Sequence, residues 1–164
     1  MIEAFCQWLH DTAWAETVRA NELLFPTFES LHVLAITLVL GSIAVVDLRL
    51  LGFASRGRPI TQLLREVLPV TWVAFAVAVI SGGTLFASNA VEYAHNRPFQ
   101  MKMLLMLLAG LNMLVFHFVT YRGIGQWDQT IPPPTRARIA GALSITLWIG
   151  IVAFGRWIGF TIGF

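Results

Sequence analysis

Residues 27–51 have the sequence TFESLHVLAITLVLGSIAVVDLRLL, and this stretch decides the fold. No charged side chain stands between Glu29 and Asp47. A helix over these residues rises ~1.5 Å per residue and would exceed the ~30 Å hydrocarbon core of a bilayer. Because backbone polar groups in lipid must be satisfied within the chain, the stretch predicts a transmembrane α-helix.

Three further stretches have the same character, so the predicted spans are residues 27–51, 67–88, 99–121 and 139–160. They are separated by an arginine-rich loop with Gly57 and Pro59, by a short polar turn over residues 89–98, and by a loop with three consecutive prolines at 132–134. Short connections favour antiparallel neighbours. The expected fold class is all-α: an integral membrane antiparallel four-helix bundle in a single domain, residues 1–164.

Residues 1–20 predict an amphipathic helix that lies in the membrane interface and precedes the bundle. The apolar face consists of Ile2, Phe5, Cys6, Leu9 and Ala13. Trp8 and Trp14 would anchor the helix among lipid headgroups. We expect no cleavable signal peptide, because this stretch lacks a basic start followed by a continuous apolar segment.

The composition agrees with a membrane protein and disfavours a soluble catalytic domain. Of the 164 residues, 57% are hydrophobic and only 12% are charged, against about 25% charged in typical soluble domains. The net charge of +2 does not point to nucleic-acid binding, because the basic residues flank the spans. In that position they are explained by the orientation of the protein in the membrane. Most of them fall in the first and third loops, which predicts that both loops are cytoplasmic and both termini periplasmic.

Two histidines lie within predicted spans, and a buried polar group in lipid needs a partner or a function. His32 in the first span and His117 in the third are candidate ligands for haem iron. They lie at opposite depths, ~20 Å apart along the membrane normal by helical rise. Two imidazoles cannot share one iron at that distance, so either each marks a separate haem site or one histidine is structural.

Further residues could complete such sites. The candidates for haem contact, a sixth ligand or propionate pairing are Gly82, Gly83, His95, Met103, Met106, Lys102, Arg156 and, at the other depth, Arg49. Each also has a structural explanation, such as close helix packing for glycine or snorkelling for the cations. A contact between Asp47 and His117 or Arg49 would likewise account for Asp47 without a cofactor. The Glu29-x-x-His32 motif occurs once, so a carboxylate di-iron site is excluded.

The segments Glu29-Ser-Leu-His32 and Asp47-Leu-Arg-Leu-Leu-Gly52 resemble an uncharacterised family of small bacterial four-helix membrane proteins. The third span, with Lys102 near its start and His117 near its end, is distantly similar to HemJ-type protoporphyrinogen oxidases and CopD-like membrane domains. This resemblance implies the bacterial inner membrane as location and haem b as cofactor.

Together these observations lead to one main hypothesis: a b-type haem subunit that transfers electrons between a periplasmic partner and the quinone pool, with one or two haems and a quinone as cofactors. The expected partners are the lipid bilayer, a periplasmic redox protein, other membrane subunits or further copies of the chain. Two alternatives stay open, namely a porphyrinogen oxidase of the HemJ type and a cofactor-free structural or assembly subunit.

Overall fold

The computed structural model describes residues 1–162 and is all-helical, with 84% of residues in helices. In chain order the helices are α1 (Ile2–His10), α2 (Ala13–Ala20), α3 (Leu24–Leu50), α4 (Ile60–Ser88), α5 (Ala90–His95), α6 (Arg97–Val115) and α7 (Thr135–Thr161). A π-helical turn (Phe116–Thr120) and a 3₁₀ segment (Tyr121–Gln126) extend α6. The helices α3, α4, α7 and the extended α6 are each long and apolar enough to cross a bilayer, which indicates a multi-pass membrane protein.

The prediction of one continuous helix over residues 1–20 is wrong, because the chain turns between α1 and α2. The Thr12 hydroxyl accepts a hydrogen bond from the Ala15 N–H at 3.3 Å and donates one to the Leu9 carbonyl at 2.7 Å. One side chain therefore satisfies backbone groups on both sides of the break, as an N-cap residue does.

The face of α1 and α2 that packs on the bundle matches the predicted apolar face only in part, since Cys6 belongs to both. Cys6 and Val18 are buried, at 3% and 0% exposure. Ile2 and Phe5, which belong to the predicted apolar face, are 76% and 56% exposed. Small side chains thus contact the bundle and large apolar ones point away from it.

Helix α4 begins at Ile60, earlier than the predicted start of the second span at residue 67. The Asp128 carboxylate, from a distant loop, accepts hydrogen bonds from the Thr61 N–H at 2.8 Å and the Thr61 hydroxyl at 2.6 Å. The charged residues in the first turns of α4 precede the predicted span, and Glu66 among them pairs with Arg58 at 3.1 Å. The helix therefore extends beyond the apolar segment that the sequence pattern detects.

Two other boundaries also differ from the predicted ones. The short helix α5 lies within residues 89–98, which the sequence pattern predicted as a turn, and Asn96 then caps α6 by accepting a hydrogen bond from the Phe99 N–H at 3.0 Å. Helix α7 begins at Thr135, directly after Pro134, rather than near residue 139. Proline is tolerated there because the first N–H groups of a helix have no partner within the helix.

The long helices pack in two pairs, α3 with α4 and α6 with α7, and the pairs meet where α3 packs on α7. Helices α3 and α7 approach closely at Gly141, where an added Cβ would lie 3.1 Å from the Asp47 carbonyl oxygen. Between α4 and α6 there are few close backbone contacts, and the stacked rings of Phe86 and Phe99, 5.3 Å apart, bridge them.

The bundle has two distinct ends. We call the end that carries α1, α2 and α5 the α5 end, and the opposite end, with residues 51–59 and 127–134, the loop end. Buried Leu50, Ile60 and Ala137 form a hydrophobic cluster near the loop end. The polar groups described next lie in separate layers between these ends.

Candidate cofactor site around His32

His32 lies on α3, and its ring is held against α4. Its Nδ1 atom is 2.9 Å from the Ala78 carbonyl oxygen and 3.1 Å from the Ser81 hydroxyl. A carbonyl oxygen can only accept a hydrogen bond, so Nδ1 carries the proton and Nε2 keeps its lone pair. Within residues 1–162, no group hydrogen-bonds to Nε2. Histidines that ligate metals are oriented in the same way, through a carbonyl bound to the other ring nitrogen.

Gly82 provides the space that the His32 ring occupies. A Cβ atom at position 82 would lie 2.7 Å from the ring Cε1 and 3.1 Å from Nδ1, which is too close for an unshifted ring. The neighbouring Gly83 has open space around the position of a Cβ. Of the two glycines predicted to admit a flat group, Gly82 therefore admits the imidazole itself.

Lys102 reaches the same layer from α6. Its Nζ atom lies 3.6 Å from the position that a Cβ on Gly155 would take, so the glycine of α7 leaves room for the lysine side chain. Counting helical rise from the first residues of α3 and α6 places His32 ~12 Å and Lys102 ~8 Å from the ends of their helices, so the two residues lie at similar depths. His32, Gly82 and Lys102 are thus the predicted site residues that the fold brings together.

The other residues predicted for this layer have different surroundings. Met103 is 47% exposed on α6, and Met106 is half-buried. Arg156 is exposed on α7, and its guanidinium lies over the Phe160 ring at 5.2 Å. These placements do not test the predicted roles of Met103 and Met106 as sixth ligand or of Arg156 as propionate partner, and those roles stay predictions.

His95 lies at the surface of the α5 end. Its Nδ1 donates to the Val91 carbonyl at 2.9 Å, and its Nε2 lies 3.4 Å from a Glu3 carboxylate oxygen. The bond to Val91 and then the bond to Glu3 raise the pKa of His95.

His117 lies in another layer, in the π-helical turn that follows α6. Its ring is exposed and stacks on Tyr121, with the centroids 5.5 Å apart. Counting helical rise from the first residues of α3 and α6 places His32 ~12 Å and His117 ~30 Å from the α5 end. The two imidazoles are therefore separated by a large part of the bundle's length.

Arg49 and Asp128 join the two loops of the loop end. Arg49 is completely buried, and its Nε donates to the Arg58 carbonyl at 3.1 Å and its Nη2 to the Asp128 carbonyl at 3.4 Å. Its Nη1 atom has no hydrogen-bond partner within residues 1–162, and the predicted pairing of Arg49 with a haem propionate stays a prediction. Desolvation raises the pKa of Asp128, but the hydrogen bonds from Thr61 and Ile60 and the charge of Arg49 together outweigh it and leave the pKa lowered.

Asp47 does not make the contacts expected from the sequence. It is 4% exposed, its Oδ2 has no hydrogen-bond partner within residues 1–162, and its side chain bonds to neither His117 nor Arg49. The reason is that α3 turns this residue toward α7, next to Ser144. There Asp47 lines a cavity of about 270 Å³ whose other walls are apolar, including Ile43 and Trp148.

A second cavity, of about 440 Å³, opens at the α5 end. Its polar lining residues are His10, Asn89, Glu92, His95, Asn96 and Thr161. The sequence pattern did not indicate this cavity, because its walls come from α1, from α5 and the turns on either side of it, and from the end of α7. Only the packing of α1 onto α5 brings these segments together.

In the His32 layer, one imidazole has the donor chemistry of an axial haem ligand. Within residues 1–162, no three His, Cys, Asp or Glu side chains lie close enough to hold a metal ion together. A haem does not require such a cluster, since the porphyrin supplies four ligands and the protein supplies one or two. The imidazole with a fixed Nδ1 and an unpaired Nε2 meets this need, and Lys102 offers a cation for a propionate.

Comparison with known proteins gives the chain a family but no activity. No curated protein and no solved structure matches it. Residues 5–161 match a family of unknown function, DUF6644. The match confirms that the chain resembles an uncharacterised family, whereas the likeness to HemJ-type and CopD-like proteins stays a prediction. Because the match covers nearly the whole sequence, this chain is a member of the DUF6644 family.

Proposed function

We propose that this protein is a b-type haem membrane subunit that passes electrons between a periplasmic partner and the quinone pool. The observation that carries the proposal is the geometry of His32. Its Nδ1 is fixed by the Ala78 carbonyl at 2.9 Å, while Nε2 has no partner within residues 1–162. In an apolar span, an unpaired imidazole nitrogen that is held in a fixed orientation favours a ligand role over simple hydrogen bonding.

The neighbouring residues would support the ligand in defined ways. Ala78 and Ser81 hold the ring in one tautomer and one orientation. Gly82 lets the ring lie against α4, and Lys102 would pair with a propionate from α6. When bound, the haem iron supplies one-electron chemistry, and burial and nearby charge set its potential. The chain's contribution is the ligand, its orientation and the low-dielectric surroundings.

The proposed orientation in the bacterial inner membrane places the α5 end in the periplasm and the loop end in the cytoplasm. The arginines of the loops support this assignment through the positive-inside tendency. At the α5 end, Ile2, Phe5, Trp8 and Trp14 are each more than half exposed, which suits helices that lie among lipid headgroups. A periplasmic redox partner would dock beside these helices.

The optical spectrum of the purified protein tests the proposal. Protein from haem-replete cells, solubilised in detergent, should give a pyridine haemochrome spectrum of haem b and a Soret band that shifts on reduction. The variant His32→Ala should lose the pigment, whereas the matched variant His95→Ala, which removes a surface histidine, should keep it. A colourless wild-type protein, or pigment that survives His32→Ala, would overturn the assignment.

One observation favours a second candidate, a cofactor-free structural subunit. The His32 ring already bonds to α4 and rests on Gly82, so it could serve only to join α3 to α4. This candidate predicts a colourless wild type and a His32→Gln variant that stays folded, because the glutamine amide can still donate to the Ala78 carbonyl.

A further inference from the structure

The cavity at the α5 end has walls whose hydrogen-bonding groups fall into two sets. Asn96 and Thr161 are engaged with each other, since the Asn96 amide donates to the Thr161 hydroxyl at 2.8 Å. His95 is engaged by Val91 and Glu3. Within residues 1–162, the side chains of Asn89 and Glu92 have no hydrogen-bond partner. These two groups are therefore available to a molecule in the cavity.

His10 adds a directed donor. The Arg19 guanidinium lies 3.2 Å from the His10 Nδ1 atom, and Arg19 also donates to the Ser88 carbonyl at 2.8 Å. A guanidinium can only donate, so Nδ1 accepts and the neutral imidazole carries its proton on Nε2. The cavity thus presents an N–H donor on His10, an amide on Asn89 and a carboxylate on Glu92.

This set of groups selects the class of ligand. Glu92 disfavours an anion such as a phosphate headgroup, because two like charges would be brought together. A metal ion is disfavoured because no three ligating side chains converge within the described residues. A neutral molecule with carbonyl or hydroxyl oxygens matches the imidazole and amide donors, and its reduced form could donate to the carboxylate. The volume of about 440 Å³ is within the range of small-molecule sites.

The position of the cavity fits a lipid-soluble ligand. It lies at the ends of α4 and α7 and beside the start of α6, where the apolar spans finish. Along these helices, Asn89, Asn96 and Thr161 lie ~9–12 Å by helical rise from Ser81, Lys102 and Gly155 of the His32 layer. Three helices give similar separations, so the cavity lies about two helical turns from the proposed haem ligand.

We infer that the cavity at the α5 end binds the headgroup of a quinone, with His10 and Asn89 as donors to its oxygens and Glu92 beside its reduced hydroxyl. The inference rests on the proposed function for its redox meaning, but binding itself does not require a haem. It identifies this cavity as the place where the quinone pool meets the protein.

Binding of a short-chain benzoquinone such as decylubiquinone to the purified protein tests the inference, measured by quenching of tryptophan fluorescence. His10→Phe and Asn89→Ala should each weaken binding about tenfold, the effect of one lost hydrogen bond in a partly buried site. Glu92→Gln should weaken binding of the reduced quinol more than of the quinone. The control variants Glu22→Gln and Gln129→Ala, outside the cavity, should bind like the wild type.

The outcomes separate this inference from the proposed function. Quinone binding that is weakened in His10→Phe but unchanged in His32→Ala supports the cavity, even if every preparation is colourless and the haem proposal fails. A pigmented protein whose quinone affinity is unchanged in His10→Phe and Asn89→Ala overturns the cavity assignment alone. Displacement of the probe by a short-chain anionic phospholipid at equal concentration would also overturn it, because a phosphate would then be the preferred ligand.

Discussion

Replacing Gly82 with alanine should displace the His32 ring. The new methyl carbon would lie 2.7 Å from the ring Cε1 and 3.1 Å from Nδ1, and the ring cannot move away without lengthening its 2.9 Å bond to the Ala78 carbonyl. Overpacking of this kind costs about 1–3 kcal/mol, and the weakened hydrogen bond about 1 kcal/mol more. Alanine's better helix propensity offsets about 1 kcal/mol. The expected net loss of unfolding free energy is therefore about 1–3 kcal/mol.

Thermal unfolding in detergent, followed by circular dichroism, measures this loss. For a chain of this size, about 1–3 kcal/mol corresponds to a fall in Tm of about 2–12 °C. Gly83→Ala is the matched control, because the added Cβ meets no atom within 4 Å. That variant should be at least as stable as the wild type.

A double-mutant cycle shows whether the effect acts through the ring. In a His32→Ala background the methyl group of Gly82→Ala has no ring to displace, so the second substitution should cost nothing further. A Gly82→Ala variant as stable as Gly83→Ala would refute the placement of His32 against α4. The same result would remove the main support for an oriented ligand.

Two further predictions concern the ends of the bundle. Asp128→Asn should lower the unfolding free energy by about 1 kcal/mol at neutral pH. Because the pKa of Asp128 is lowered in the folded protein, this stabilisation is present above the ordinary aspartate pKa and is lost as pH falls through the folded-state pKa. Denaturant titrations of the wild type and the variant should therefore converge below about pH 4. At the α5 end, the raised pKa of His95 means that its bonds to Val91 and Glu3 stabilise the fold below the ordinary histidine pKa and do so less as pH rises through the folded value. The protection factors of the α1 amides, which correct hydrogen exchange for its intrinsic rise with pH, should therefore fall as pH rises. Glu3→Gln should reduce that fall and lower the His95 pKa measured by NMR; equal titration curves would contradict this.

Much of the fold follows from hydropathy, because a long apolar run without charges has few alternatives to a spanning helix. The boundaries were harder to predict, since they depend on single polar contacts. The Thr12 hydroxyl divides the N-terminal segment, and the Asp128 carboxylate starts α4 at Ile60 from 67 residues away. Local sequence carries no signal for a cap supplied by a distant loop.

The candidate site, like the fold, could be predicted from the sequence only in part. His32 could be found from the sequence because an imidazole in an apolar span is conspicuous, and Gly82 because it lies at a matching depth. The group that orients the ring is the backbone carbonyl of Ala78, and every residue type has a carbonyl. The cavity at the α5 end was missed because His10 and Glu92 are ordinary surface residues until α1 packs on α5.

The junction between Arg49 and Asp128 has a consequence for biogenesis. Their hydrogen bond joins residues 79 positions apart. At roughly 5–20 residues per second of synthesis, Asp128 emerges about 4–16 s after Arg49. During this interval the α3–α4 hairpin is synthesised without the Asp128 carboxylate that caps α4 at Thr61. The Arg49 guanidinium then has only nearby carbonyls to bind. The bonds of Arg49 and Thr61 to Asp128 therefore form only after the third span has been translated, when the α3–α4 hairpin has already been synthesised.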